Sequence, residues 1–65
     1  MRVAFIGLGV MGYPMAGHVQ KSGTSVCVYN RTRKKAEEWC QEFGGEMADT
    51  PAEAAKNCDV VLVCV

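Results

Sequence analysis

Residues 2–12 read Arg2-Val3-Ala4-Phe5-Ile6-Gly7-Leu8-Gly9-Val10-Met11-Gly12 (RVAFIGLGVMG), an apolar run that ends in three glycines spaced G-x-G-x-x-G. Glycines at that spacing recur by chance, so the pattern alone is weak. Its setting gives it weight: "RVAFIG" (2–7) has the composition of a strand buried on both faces, and a helical pattern begins at once behind the motif. In such a strand–loop–helix unit Gly7 permits the tight turn and Gly9 the close approach of a pyrophosphate. Gly12 lets the helix pack tightly on the strand. Unpaired N–H groups and the dipole at the helix start favour the negative charge.

Outward from this unit the chain keeps alternating. Val10 to Ser22 carries Met11, Met15 and Val19 at four-residue spacing, an apolar helical stripe that stops at Gly23. Pro14 falls in the first turn, where a missing N–H removes no hydrogen bond. "TSVCVY" (24–29) is a second strand. Thr32 caps a helix over 33–43 whose apolar face is Ala36, Trp39, Cys40 and Phe43, and Gly44-Gly45 stops it. "GEMA" (45–48) is at best a short third strand. Thr50, Pro51 and Glu53 form a capping box with proline at the first helical position. "DVVLVCV" (59–65) is a further apolar strand. The order strand-helix-strand-helix-strand-helix-strand predicts an α/β fold of the Rossmann type, a doubly wound parallel sheet with helices on both faces.

Composition sets the outer limits. Sixty-five residues make at most one small domain, and a chain of that size buries only about 60% of its unfolded surface. Apolar content of 49% and charged content of 22% are ordinary for a globular protein and too apolar for disorder. No apolar run approaches the roughly 18 residues of a membrane span, and the N-terminal run breaks at glycines without a cleavage site. These features point to the cytoplasm. The net charge is zero, which argues against a general nucleic-acid surface. Its distribution is uneven: residues 1–36 hold six of the basic side chains and no acid, while residues 37–65 hold every acid. The basic cluster at 31–35 suits one phosphate rather than a polyanion.

Tyr29-Asn30-Arg31-Thr32 (YNRT) closes the second strand, where dinucleotide-binding folds carry an acid about 20 residues beyond the glycines. That acid accepts hydrogen bonds from the adenosine ribose and repels a 2′-phosphate. Asn30 is uncharged, Arg31 offers a planar fork of donors suited to phosphate, and Thr32 adds a hydroxyl at a helix start. Lys35, one turn on, adds charge. The combination predicts NADP rather than NAD, and the missing acid also counts against a flavin dinucleotide. The candidate cofactor site is therefore Gly7, Leu8, Gly9, Val10, Met11 and Gly12 with Asn30, Arg31, Thr32 and Lys35. Arg33 and Lys34 read as a solvated helix start.

The remaining residues offer no chemistry of their own. Cys27, Cys40, Cys58 and Cys64 have long, irregular gaps beside apolar segments, the pattern of reduced structural cysteines, and no metal site is expected. His18 has no acid or second ligand at a useful spacing and reads as a structural or surface residue. Met11 either flanks the cofactor or packs the helix, and Tyr13 and Pro14 stand at the phosphate end. Trp39 and Phe43 read as core. No catalytic constellation exists in these residues.

"VAFIGLGVMGYPMAGHVQKSG" followed by "VYNRT" resembles the N-terminus of the β-hydroxyacid dehydrogenase family. That family includes 3-hydroxyisobutyrate dehydrogenase, tartronate semialdehyde reductase and glyoxylate/succinic semialdehyde reductase, with 6-phosphogluconate dehydrogenase more distant. The shared pattern G-x-G-x-M-G-x-P-M-A is matched by Gly7, Gly9, Met11, Gly12, Pro14, Met15 and Ala16, and the resemblance runs through all 65 residues. It implies that residues 1–65 are the N-terminal part of an NAD(P)-binding Rossmann domain, followed in the family by a helical domain that this chain lacks. It further implies reversible oxidation of a β-hydroxy acid to a semialdehyde, assisted by a lysine beyond residue 65, and a homo-oligomer formed through the helical domain. Asn-Arg-Thr in place of an acid resembles the NADP-using branch. A non-catalytic NADP-binding module and an imine reductase are the alternatives. The expected partner is a small hydroxy acid or semialdehyde, with neither nucleic acid nor membrane. Alone, the chain is expected to be poorly stable, with its last strand an exposed edge beside the first.

Overall fold

A computed structural model describes residues 1–64, so the expectation for Val65 lies outside the described residues. Strand β1 (Arg2–Ile6) leads through the glycine loop into helix α1 (Gly12–Lys21). Strand β2 (Ser25–Tyr29), helix α2 (Arg33–Phe43), the two-residue strand β3 (Glu46–Met47), helix α3 (Pro51–Ala55) and strand β4 (Val60–Val63) follow. All strand pairs are parallel, and the sheet order is β3-β2-β1-β4. The chain moves from β1 outward through β2 to β3, then returns across the sheet to place β4 on the other side of β1. With right-handed crossovers, that reversal puts α1 and α2 on one face and α3 on the other. It is the doubly wound arrangement expected from the alternation, and it opens a crevice at the carboxyl ends of β1, β2 and β4.

The two faces of the sheet carry two apolar clusters, which is why β1 reads as an unbroken apolar run. On the α1/α2 face Val3, Phe5, Leu8, Ala16, Val26, Val28, Ala36 and Trp39 form the larger cluster. On the α3 face Ala4, Cys27 and Ala54 form the smaller one. Trp39 is fully buried and donates its indole N–H to the Tyr13 carbonyl at 3.2 Å. Its ring lies where a side chain at residue 45 would stand, and the Phe43 ring lies where one at residue 17 would stand. Tyr13 meets Phe43 edge-on at 5.9 Å between ring centres. Three aromatic rings thus tie α2 to α1, and α1 carries the glycine loop.

Three local expectations are corrected. Helix α1 begins at Gly12, two residues later than the periodicity suggested, because Val10 and Met11 form the turn that leads into it. Its buried positions are Gly12, Ala16 and Gly17, while Met11 and Met15 are 74% and 45% exposed. Only Val19 of the expected stripe packs against the core. Close approach of a helix to a sheet selects small residues, so the large methionines lie off the contact face. Thr32 occupies the N-cap position of α2, but its hydroxyl makes no capping bond; its carbonyl instead accepts from the Lys35 N–H at 3.1 Å. Thr50 does cap α3, its Oγ1 accepting from the Glu53 N–H at 3.1 Å. Gly44 ends α2 in the left-handed conformation.

Strand β4 is the sheet edge that the sequence led one to expect. It pairs with β1 from Val3↔Val60 to Ile6↔Val63, and the Asp59 carboxylate accepts from the Arg2 N–H at 2.9 Å where the pairing begins. Val60, Val61, Leu62 and Val63 are nevertheless all exposed. No helix among the described residues is long and apolar enough to cross a membrane.

Candidate functional site

The site is assembled where β1 and β2 end. Ile6 hands over to Gly7, whose N–H donates to the Tyr29 carbonyl at 2.7 Å and whose backbone turns with φ of 98°. The next amide, that of Leu8, donates to Asn30 Oδ1 at 2.8 Å. Asn30 Nδ2 in turn donates to the Thr32 carbonyl at 3.1 Å. One side-chain amide therefore fastens the glycine loop to the end of β2 and also holds the turn that presents Arg31. This task was invisible in the sequence, where Asn30 registered only as an absent charge. A carboxylate at this position would serve the Leu8 N–H but would have nothing to donate to Thr32.

The loop beyond this tether is free to receive an anion. Among the described residues the N–H groups of Gly9, Val10, Met11 and Gly12 make no hydrogen bond, while the Gly9 and Met11 carbonyls already accept from Tyr13 and Met15. A row of unpaired N–H groups at a helix start is what a diphosphate needs. The space where a Gly9 side chain would stand is empty to 4 Å, leaving room for close approach. A side chain at Gly12, in contrast, would lie 3.1 Å from the Gly7 carbonyl oxygen and from Cys64 Cβ. Gly9 thus stands beside open space, and Gly12 stands where the loop, the helix start and Cys64 pack closely.

An open cavity of about 550 Å³ runs along this loop, lined by Gly7, Leu8 and Gly9 on one side and by Tyr29, Asn30 and Arg31 on another. Pro51, from the start of α3, and Cys64, just beyond β4, close it. A second cavity of about 190 Å³ adjoins it at Tyr29, Asn30 and Arg31 and extends toward Arg33, Met47 and Asp49. Arg31 is therefore exposed at the junction of the two, and it makes no ion pair among the described residues. Val10 and Met11 are exposed beside the loop, and Thr32 is exposed and Lys35 half-buried on the far side; none of the four lines either cavity. Pro14 faces solvent, and Tyr13 turns away to Phe43 and to Glu42, whose carboxylate accepts from its hydroxyl at 2.9 Å. Burial, reinforced by Glu42, raises the Tyr13 phenol above its ordinary value.

Sequence reading missed Pro51 and Cys64 because neither is near the motif along the chain. The reversal of direction between β3 and β4 brings both to the crevice, and only the strand order reveals it. All four cysteines carry free thiols. Burial first, and then the Glu46 carboxylate, raises the Cys27 and Cys40 thiols, which keeps them neutral. Among the described residues no three His, Cys, Asp or Glu side chains converge to hold a metal ion.

Asn30→Ala should loosen the tether at both ends, the glycine loop and the turn that presents Arg31. The part-buried Leu8 N–H loses its partner, at about 1–2 kcal/mol for an unsatisfied group. The expected result is a matching drop in stability in urea. Unchanged stability would show that the Leu8 N–H finds another partner and that Asn30 is not the tether.

A family model, the NAD binding domain of 6-phosphogluconate dehydrogenase, matches residues 2–65. An uncharacterized oxidoreductase of Shewanella frigidimarina is 59% identical over 64 residues, 98% of this chain and 22% of that protein. Among solved structures, the imine reductase from Myxococcus stipitatus in complex with NADP+ superposes with a TM-score of 0.90 at 34% identity, over 100% of this chain and 22% of that one. The V8 variant of the Myxococcus stipitatus imine reductase, in complex with NAD+, superposes at 0.88 with 28% identity, over 98% and 22%. The chain thus spans about a fifth of the length of the proteins it matches. With the motif, the parallel sheet and the family model in agreement over the same residues, this chain belongs to the family of NAD-binding domains of 6-phosphogluconate dehydrogenase.

Proposed function

We propose that the chain is the dinucleotide-binding part of an NADP-dependent oxidoreductase acting on a small β-hydroxy acid or its semialdehyde. The observation that carries the reading is the junction at Arg31: an exposed guanidinium without an ion pair among the described residues, beside an uncharged Asn30, at the rim of the loop crevice. In this reading the unpaired N–H groups from Gly9 to Gly12 hold the diphosphate. Arg31 receives the 2′-phosphate, with Thr32 and Lys35 adding a hydroxyl and a charge nearby. Asn30 holds loop and turn in register, and Pro51 and Cys64 shape the wall. The nicotinamide, when bound, supplies the hydride acceptor or donor. The lysine that moves the proton, the helical domain and the homo-oligomer belong to the proposal for the whole protein, as does its place in the cytoplasm.

The similarity to an imine reductase favours a second reading, reduction of a C=N bond with the same cofactor. The test uses the full-length encoded protein. Calorimetric titration with NADPH and NADH should give tighter binding of NADPH. NADP(H) turnover is then followed with 3-hydroxyisobutyrate, glycerate, succinic semialdehyde and glyoxylate, and separately with a cyclic imine. Turnover confined to the imine replaces the first reading with the second. Binding without turnover of either class leaves a cofactor-binding module.

A further inference from the structure

The basic residues around the start of α2 differ in what they hold. Arg31 makes no ion pair among the described residues, whereas Arg33 is committed at two atoms: Nη1 lies 2.6 Å from Asp49 Oδ1, and Nε lies 3.3 Å from Glu37 Oε2. Asp49 follows β3 and lines the same cavity of about 190 Å³ as Arg31 and Arg33. An uncompensated carboxylate there would act against a 2′-phosphate in two ways. It would offer Arg31 an internal partner, and it would repel the phosphate directly.

Resting on the NADP reading above, we propose that Arg33 is a positioning residue for cofactor choice: by holding Asp49 it keeps that carboxylate from capturing Arg31 and from repelling the 2′-phosphate. All three ion-pairing side chains are exposed, so the bridges add little to stability. Their effect is on the local field, where the Asp49–Arg33 pair joins the two walls of the cavity and cancels charge beside Arg31. Lys34 and Lys35 make no ion pair among the described residues, so Arg33 is the basic side chain that holds Asp49 there.

The experiment measures binding, not turnover, in the full-length encoded protein. NADPH, NADH and 2′,5′-ADP are titrated calorimetrically into wild type, Arg33→Ala, Asp49→Asn and the double variant, at low and at high ionic strength. Both sites are exposed, and circular dichroism confirms folding. Arg33→Ala should lose about tenfold in affinity for NADPH and 2′,5′-ADP at low salt, with the loss shrinking at high salt and NADH changed less than about twofold. Asp49→Asn should bind NADPH at least as tightly as wild type, and the double variant should return to the Asp49→Asn level. A double variant as weak as Arg33→Ala overturns the proposal, because Arg33 would then touch the phosphate itself. An unchanged Arg33→Ala overturns it too. A wild type without preference for NADPH over NADH fails at the underlying reading and is told apart by that first titration.

Discussion

Gly7→Ala is expected to lower stability by about 2–5 kcal/mol, the sum of two separable effects. The first is conformational. At φ of 98° an alanine occupies backbone space that L-residues rarely enter, costing about 1–2 kcal/mol. The second is steric. The new methyl group would run into the carbonyl of Cys64, a backbone atom fixed by the Cys64 N–H donating to the Ile6 carbonyl at 2.8 Å. No rotamer change relieves that collision; β4 has to shift away from β1 where the two form one wall of the crevice. Gly23 supplies an internal control. Its φ is 96°, almost the same, yet a side chain there meets nothing within 4 Å. Gly23→Ala should therefore cost only the conformational part, about 1–2 kcal/mol. Urea unfolding of the full-length protein gives the totals, and amide exchange over residues 2–12 and 58–64 locates them. Equal losses for the two variants would mean that β4 yields freely and that Gly7 is needed for its φ alone.

The parts of the molecule legible in the sequence are those fixed by neighbouring residues. Periodicity, caps and glycine stops placed every element, since each is a local property of a few consecutive residues. Helix α2 was read to the residue because Trp39, Ala36 and Phe43 share one face and Gly44 ends it. Strand β1 was read as doubly covered because Val3 and Phe5 serve one apolar cluster and Ala4 the other. The methionine stripe of α1 misled because spacing reports a face without saying whether large or small residues will occupy it. Contact there is set by how closely the helix approaches the sheet, which selects Gly12, Ala16 and Gly17. The ties that organise the site were illegible for a different reason. Leu8 and Asn30 are 22 residues apart, Arg33 and Asp49 are 16 apart, and no local pattern links them. Cys64 reaches the loop only because β4 is inserted beside β1. The motif marked the loop; the strand order told what else stands around it.

Arg31→Ala should weaken NADPH binding by about 30- to 150-fold and NADH binding by no more than about twofold. The estimate follows from what a guanidinium gives a phosphate: charge-assisted, paired hydrogen bonds of about 2–3 kcal/mol in total at an exposed rim. Exposure sets the upper limit, because solvent and salt screen a charge at the mouth of a cavity. The same exposure predicts that the gap between wild type and variant narrows as ionic strength rises. A phosphate monoester has its second pKa near 6, so the wild type's preference for NADPH should also decline as pH falls through that value, while NADH binding stays level. Arg31→Lys keeps the charge and removes the fork, and it should retain part of the preference. A different physical role predicts a different pattern. If Arg31 worked by stacking on the adenine, which both cofactors share, alanine would weaken NADPH and NADH alike and neither salt nor pH would separate them. Among the described residues Arg31 makes no ion pair, beside an Arg33 already tied to Asp49 and Glu37, and that contrast favours the ionic role: of the two arginines at this cavity, it is the one whose charge has no internal partner there.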